Sequence, residues 1–268
     1  MKINTSYKVK TYGHKRVFKM TVELYRQAVD FLIGVCLNEW DDIAQIERPT
    51  DRTMFVERLV HKTKDRPFVK YDFDSPFYKF PSYLRRAAIA EAIGDVSSYK
   101  SNYANWTVGK NGNPPSEPKA GYTFPCLYKG DCFVRIDNYT VQIKVFVRNT
   151  WDWVTLKLKK SDVDYILHHC AMRKALSPTL RRRGKEWFLD FGFQEKVDLS
   201  DTEALERRIV AVDLGVNTPA TISVMQADGT ILDRKFYKLS KEQDSLLHAL
   251  NRIKKAQQNH CLSTPRLW

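Results

Sequence analysis

The chain has 268 residues, 43% hydrophobic and 28% charged, with 44 Lys and Arg against 31 Asp and Glu, a formal net charge of +13. That much apolar material excludes a disordered tail and a disulfide-stapled miniprotein, and the length suits about two domains. No apolar run approaches the ~20 residues that span a bilayer, and Met1–Thr5 leads into basic, polar sequence rather than an apolar signal segment, so a cytoplasmic protein is expected.

Residues 2–19 read as extended, with Ile3, Thr5, Tyr7 and Val9 on one side of a period-two pattern. From Thr21 the period lengthens. Val22, Tyr25, Val29, Leu32, Cys36, Trp40 and Ile43 describe an amphipathic helix of about seven turns ending before Pro49. A shorter helix is predicted over Thr53–Lys64, followed by a break rich in Phe, Tyr and Asp from Pro67 to Pro81. Ser82 is an N-cap candidate for a third helix running toward Trp106, with Leu84, Ala88, Ile89, Ala92, Ile93 and Val96 on its apolar side. Gly109, Gly112, Pro114, Pro115 and Pro118 end it.

Beyond that linker, strands are predicted at Phe133–Ile136, Thr140–Phe146 and Val154–Leu158, with turns at Asp137-Asn138 and Asn149-Thr150. A short helix over Ser161–His169, capped by Ser161, and a strand over Trp187–Phe193 follow. The expected architecture is a β-barrel or sheet domain with a helical insertion between its first and second strands. After the polar stretch Asp198–Arg208, the run Ile209–Gly215 ends in an acid and a glycine. Two more strands, Ala220–Met225 and Ile231–Lys238, flank an Asp228-Gly229 hairpin turn. A helix from Ser240 to about Asn259 presents Leu246, Leu247, Leu250 and Ile253 as its buried face. Three antiparallel strands and a helix are how an RNase H-like α/β domain begins.

The charge is uneven, with +11 in the first 200 residues and +2 in 201–268. Lys2, Lys8, Lys10, Lys15, Arg16 and Lys19 all precede the first acid, Glu23, and a second basic stretch runs from Arg173 to Lys185 through Arg181, Arg182 and Arg183. Two such runs with 12% aromatic residues point to a polyanion partner. Tyr83, Arg85 and Arg86 open the third helix, and Tyr99, Lys100, Tyr103 and Trp106 close it, so rings can stack on bases while cations meet phosphate.

Asp213 is the sharpest chemical candidate, because an acid at the end of a buried strand needs a partner, a hydrogen bond or a cation. It would ligate Mg²⁺ in a nuclease of this fold, where two ions and several carboxylates serve phosphodiester hydrolysis. The same run, Asp213–Thr218, also resembles the first phosphate hairpin of sugar-kinase and actin-like ATPases. His168 and His169 are adjacent and diverge by about 100° on a helix. The five cysteines contain no close pair, and Cys126 and Cys132 have the wrong spacing for a knuckle, so no zinc is expected in this chain.

Phe80–Ile89, Val96–Tyr99, Asn102–Trp106 and the Pro114-Pro115 linker leading to Phe124-Pro125 and Tyr128–Gly130 resemble the helical segment of the TnpB (OrfB) transposon-encoded nucleases, relatives of the type V CRISPR effectors. Val210–Asn217 with Ala220-Thr221 resembles their first RuvC motif, and Thr264–Trp268 is similar to the sequence after their next helix.

The resemblance implies an α+β protein: a wedge-like β-barrel over 1–20 and 119–200, a helical recognition insertion over 21–118, and the first part of a RuvC nuclease domain over 201–268. It implies a prokaryotic, nucleoid-associated protein with guide RNA from the transposon end and target double-stranded DNA as partners. Nucleic acid would be gripped by Lys8, Lys10, Lys15, Arg16, Tyr83, Arg85, Arg86, Arg181, Arg182, Arg183 and Lys185, with Asp213 as catalytic residue and metal ligand. The family's remaining RuvC acids and its four-cysteine zinc ribbon would lie beyond Trp268. The expectation is therefore that this chain alone does not cleave DNA, and that a second chain or a completed domain supplies the missing carboxylates. A nuclease-inactive, repressor-like DNA binder and an ATPase fragment are the alternatives.

Overall fold

A computed structural model describes residues 2–109, 112–196, 208–215 and 218–258. The polar boundary at 198–207, Val216 and Asn217 of the Asp213 motif, and the terminal run 264–268 lie outside the described residues. The chain divides into two compact units, Met1–Val197 and Asp198–Trp268. It is mixed α and β, as expected.

The first unit opens on strand β1 (Lys2–Lys10) and turns at Gly13 and His14, both with positive φ, into helix α1 (Lys15–Asn38). The predicted extended segment therefore stops at Lys10, and Lys15 and Arg16 lie on the first turn of a helix. The buried stripe of α1 contains Val22, Tyr25, Val29, Leu32 and Cys36, as the period demanded. The helix breaks at Glu39, whose carboxylate accepts hydrogen bonds from Lys70 Nζ (2.6 Å) and the Tyr71 hydroxyl (2.5 Å), before α2 (Trp40–Gln45). Helix α3 spans Pro49–Val60, with Pro49 in its first turn. The predicted break before Pro81 carries an aromatic plug: Phe73, Phe77 and Phe80 pack edge-on with Phe31 and Trp151. Helix α4 (Ser82–Gly109) buries all six residues of its predicted apolar side.

The β-rich half begins with β2 (Phe133–Arg135), β3 (Thr140–Val147) and β4 (Thr150–Lys157), paired antiparallel in the order β2-β3-β4. Val147 pairs with Thr150, so the turn is the two residues Arg148 and Asn149, one position before the predicted pair. Both have positive φ (50° and 58°), as a type I′ hairpin requires. Helix α5 (Lys160–Cys170) starts one residue before its predicted cap. Ser161 lies inside it, and the adjacent Asp162 instead accepts Lys10 N–H (3.1 Å) and Lys159 Nζ (3.0 Å).

The second sheet is built on the long strand β7 (Glu186–Lys196). β1 lies along one edge, and β5 (Lys174–Ala175) and β6 (Thr179–Arg183) lie end to end along the other, all antiparallel. The expected closed barrel is not formed among the described residues. Closure needs every edge strand paired in register. β2 is only three residues long, and α1 packs against β3 and β7. The two sheets meet at the Thr11–Leu158 bridge. One continuous hydrophobic cluster runs from α1, α3 and α4 into both sheets, and Thr21 stitches helix to sheet by accepting Phe146 N–H at 2.9 Å.

The second unit holds β8 (Arg208–Asp213), β9 (Ala220–Gln226) and β10 (Ile231–Tyr237) in the order β10-β9-β8, with the predicted hairpin at Asp228-Gly229, and helix α6 (Ser240–Gln258). Its predicted buried face is a correction. Leu246, Leu247 and Leu250 are exposed, and β8 is exposed along its whole length, because no second layer covers either among the described residues.

Candidate nucleic-acid interface

The two basic runs, far apart in sequence, meet on one sheet. β1 pairs with β7 so that Lys8 lies opposite Asp190 and Lys10 opposite Phe188. β6 pairs with the same strand, placing Arg181 opposite Phe188, Arg182 opposite Trp187 and Arg183 opposite Glu186. The connection is the two-residue turn Gly184-Lys185, whose glycine takes φ +58°, the conformation that a primed hairpin turn needs at its first central position. Glu186 then draws in the start of α1: Lys15 Nζ lies 3.2 Å away and Lys10 Nζ 3.5 Å. The hydrogen bond from Lys15, with the nearby Lys10 charge, holds the Glu186 carboxyl below the usual carboxylate range.

These cations do not all face solvent on equal terms. Asp190, 7% exposed, is clamped by Arg183 Nη2 at 2.9 Å and Arg181 Nε at 3.5 Å. The Arg181 guanidinium also lies over the Phe124 ring, 5.5 Å from its centroid. Arg182 points otherwise and donates to the Gly184 carbonyl at 2.9 Å. Lys8, Arg16, Arg182 and Lys185 are exposed and have no acidic partner among the described residues. Those four are the free cations of the cluster. Lys10, Lys15, Arg181 and Arg183 raise its potential while holding it together.

The third group, at the start of α4, forms a separate place. Arg85 is 4% exposed, with Nη2 3.0 Å from one Glu57 oxygen, and Arg86 Nε takes the other oxygen at 3.1 Å. Arg85 thus ties α4 to α3 and does not present its charge to solvent. Arg86 remains half-exposed and stacks over Tyr83 at 5.5 Å, whose ring meets Tyr128 at 5.6 Å. At the far end of α4, Tyr99, Tyr103 and Trp106 form a ladder with centroids 5.9 and 5.5 Å apart.

Sequence reasoning passed over a further basic-aromatic cavity of about 490 Å³, lined by Phe133, Phe191 and Phe193 with Lys129, Arg135 and Arg173. Burial lowers the Lys129 pKa, and Arg135 and Lys174 lower it further by repulsion. It also passed over β6, reading Arg181–Arg183 as a charge run. The alternation of Leu180, Trp187 and Leu189 around a Gly-Lys pair was the available signal.

Asp213 sits at the end of β8 opposite Thr221, and it is exposed rather than at the end of a buried strand. A side chain at Gly215 would approach the Thr218 carbonyl to 3.2 Å. Among the described residues no three His, Cys, Asp or Glu come together as a metal-holding group. A two-ion Mg²⁺ site needs several carboxylates, so the described residues do not fit one. Cys36, Cys126, Cys132 and Cys170 are free thiols. Burial pushes the Cys36 thiol up to about 12 and Cys132 up to about 11, so both are neutral near pH 7. Among the described residues no helix is long and apolar enough to cross a membrane.

A family model described as the Aq_aa04 family matches residues 3–147, and the chain belongs to that family. No curated protein matches the sequence. Among solved structures, the chain is similar to a Cas12f1–sgRNA–target DNA complex at 13% identity and a TM-score of 0.37, covering 91% of this chain and 52% of that one. It is also similar to a CRISPR-Cas12f ternary complex at 12% identity and a TM-score of 0.26, covering 94% and 54%. The chain spans about half the length of both. At these TM-scores the functional reading rests on the residues of the chain itself.

Proposed function

We propose that this chain binds nucleic acid through the β1–β6–β7 end of its first unit, as the guide-RNA- and DNA-gripping part of an RNA-guided DNA-binding protein of the TnpB type. The observation that carries the reading is the meeting of two basic runs on one sheet, which leaves Lys8, Arg16, Arg182 and Lys185 exposed without acidic partners among the described residues. Cations in that state attract a polyanion at low cost, because no internal ion pair has to be broken. The TnpB type comes from the sequence resemblance, and RNA guidance comes with it. Cleavage is not assigned to the described residues, since Asp213 is exposed and outside any metal-holding group.

The test is the salt dependence of RNA binding. Affinity should fall steeply between about 50 and 200 mM salt, as bound phosphates release counterions. Replacing Lys8, Arg16, Arg182 and Lys185 together by Gln should flatten the log–log slope by about 0.7 for each phosphate of a single strand that is no longer neutralised. A slope that the quadruple variant leaves unchanged removes this end of the sheet from the interface.

A further inference from the structure

Away from that sheet, α3, the turn at residues 61–66 and the start of α4 enclose a cavity of about 770 Å³. Four guanidinium groups line it, from Arg58, Arg66, Arg85 and Arg86, and Glu57 is the one acid among the described lining residues. Both oxygens of Glu57 are already taken, by Arg85 at 3.0 Å and Arg86 at 3.1 Å. Arg58 is exposed and makes no ion pair among the described residues. Arg66 is pinned by the turn: Thr63 N–H donates to its carbonyl at 2.9 Å, its own N–H donates back at 3.1 Å, and Nη2 donates to the His61 carbonyl at 3.0 Å. The Nε atoms of Arg66 and Arg85 are buried without a hydrogen-bond partner.

This is an unbalanced site. Four guanidinium charges against one carboxylate repel one another. An anion with several acceptor oxygens relieves that repulsion, and guanidinium forks match phosphate oxygens in geometry. The cavity falls within the roughly 300–1,000 Å³ typical of small-molecule sites. At its edge Tyr128, 36% exposed, offers a ring backed by Tyr83, on which Arg86 stacks.

We propose that this cavity is a nucleotide phosphate site, in which Arg58, Arg66 and Arg86 hold a phosphate monoester and Tyr128 receives the base. The phosphate monoester belongs either to a free mononucleotide or to the 5′ end of a strand. The proposal does not depend on the RNA-binding reading of the sheet.

The full chain is titrated calorimetrically with AMP, adenosine and inorganic phosphate, and separately with short oligonucleotides bearing a 5′-phosphate or a 5′-hydroxyl. AMP is expected to bind, adenosine not, and phosphate more weakly than AMP. Arg58→Gln, an exposed change confirmed as folded by circular dichroism, should weaken AMP about tenfold, the value of one charge-assisted hydrogen bond. Tyr128→Leu should bring AMP down to the affinity of inorganic phosphate. Preference for the 5′-phosphate strand, lost in Arg58→Gln, identifies the strand end as the source, while AMP binding without that preference identifies the free nucleotide. The proposal is overturned if the chain binds neither AMP nor the 5′-phosphate preferentially. It is equally overturned if Arg58→Gln leaves both unchanged.

Discussion

Asp190 and Glu57 determine how the basic residues of this protein are to be interpreted. Each is a poorly exposed carboxylate held by two arginines, so a charge that looks like surface in sequence is partly spent inside the fold. Arg85→Leu should therefore lower stability by roughly 3 kcal/mol in urea denaturation, because it leaves Glu57 with half its compensation. Thiol chemistry is a second residue-scale matter. Burial raises the pKa of Cys36 to about 12, while an unfolded thiol ionises near ~8.5. The sign follows from that order: the unfolded chain loses the proton first, so the stability from the neutral buried thiol is present below ~8.5 and fades as pH rises from there toward 12. At pH 8 a thiol reagent should label Cys36 and Cys132 only as fast as the chain opens, and labelling that matches a free-thiol rate would contradict their placement.

Among the elements, the β6–β7 hairpin is where charge and fold have to be separated. Arg182→Glu with Lys185→Glu should weaken RNA binding and leave the melting temperature within about a degree or two, as for exposed substitutions. Arg181→Glu with Arg183→Glu should weaken binding and also melt earlier, because two new carboxylates would face the buried Asp190. Equal thermal effects from the two pairs would remove the distinction. The β3–β4 hairpin makes a simpler test. Arg148 is not a glycine yet holds φ +50°, so Arg148→Gly should raise stability by about 0.5–1 kcal/mol by relieving left-handed strain. Helix α4 was legible residue by residue: its predicted apolar side is its buried side, since a 3.6-residue period belongs to the backbone and not to its neighbours. β6 was not legible from its charges, because Arg181–Arg183 alternate between two faces only once β7 is beside them.

Across the whole molecule, core and charge lie together. The continuous hydrophobic cluster belongs to the first unit, and the first 200 residues carry +11 against +2 for the rest. A fragment of residues 1–197 should fold cooperatively and keep the salt-dependent RNA affinity of the full chain within about twofold, measured by filter binding after thermal denaturation has shown a single transition. Loss of affinity in a folded fragment would move the interface to the second unit. The order of the longer elements, the buried stripes of α1 and α4, and a strongly basic chain suited to a polyanion are all written in the sequence. These properties are local or additive, so spacing and composition carry them. It took the packed chain to show that two basic runs about 170 residues apart meet on one sheet, that Arg85, Arg181 and Arg183 are partly spent on internal acids, that Asp213 is exposed, and that α3 and α4 enclose four arginines. Each depends on which strand or helix lies beside which, and β1 meets β7 through hydrogen bonds between backbone groups that every residue other than proline carries alike.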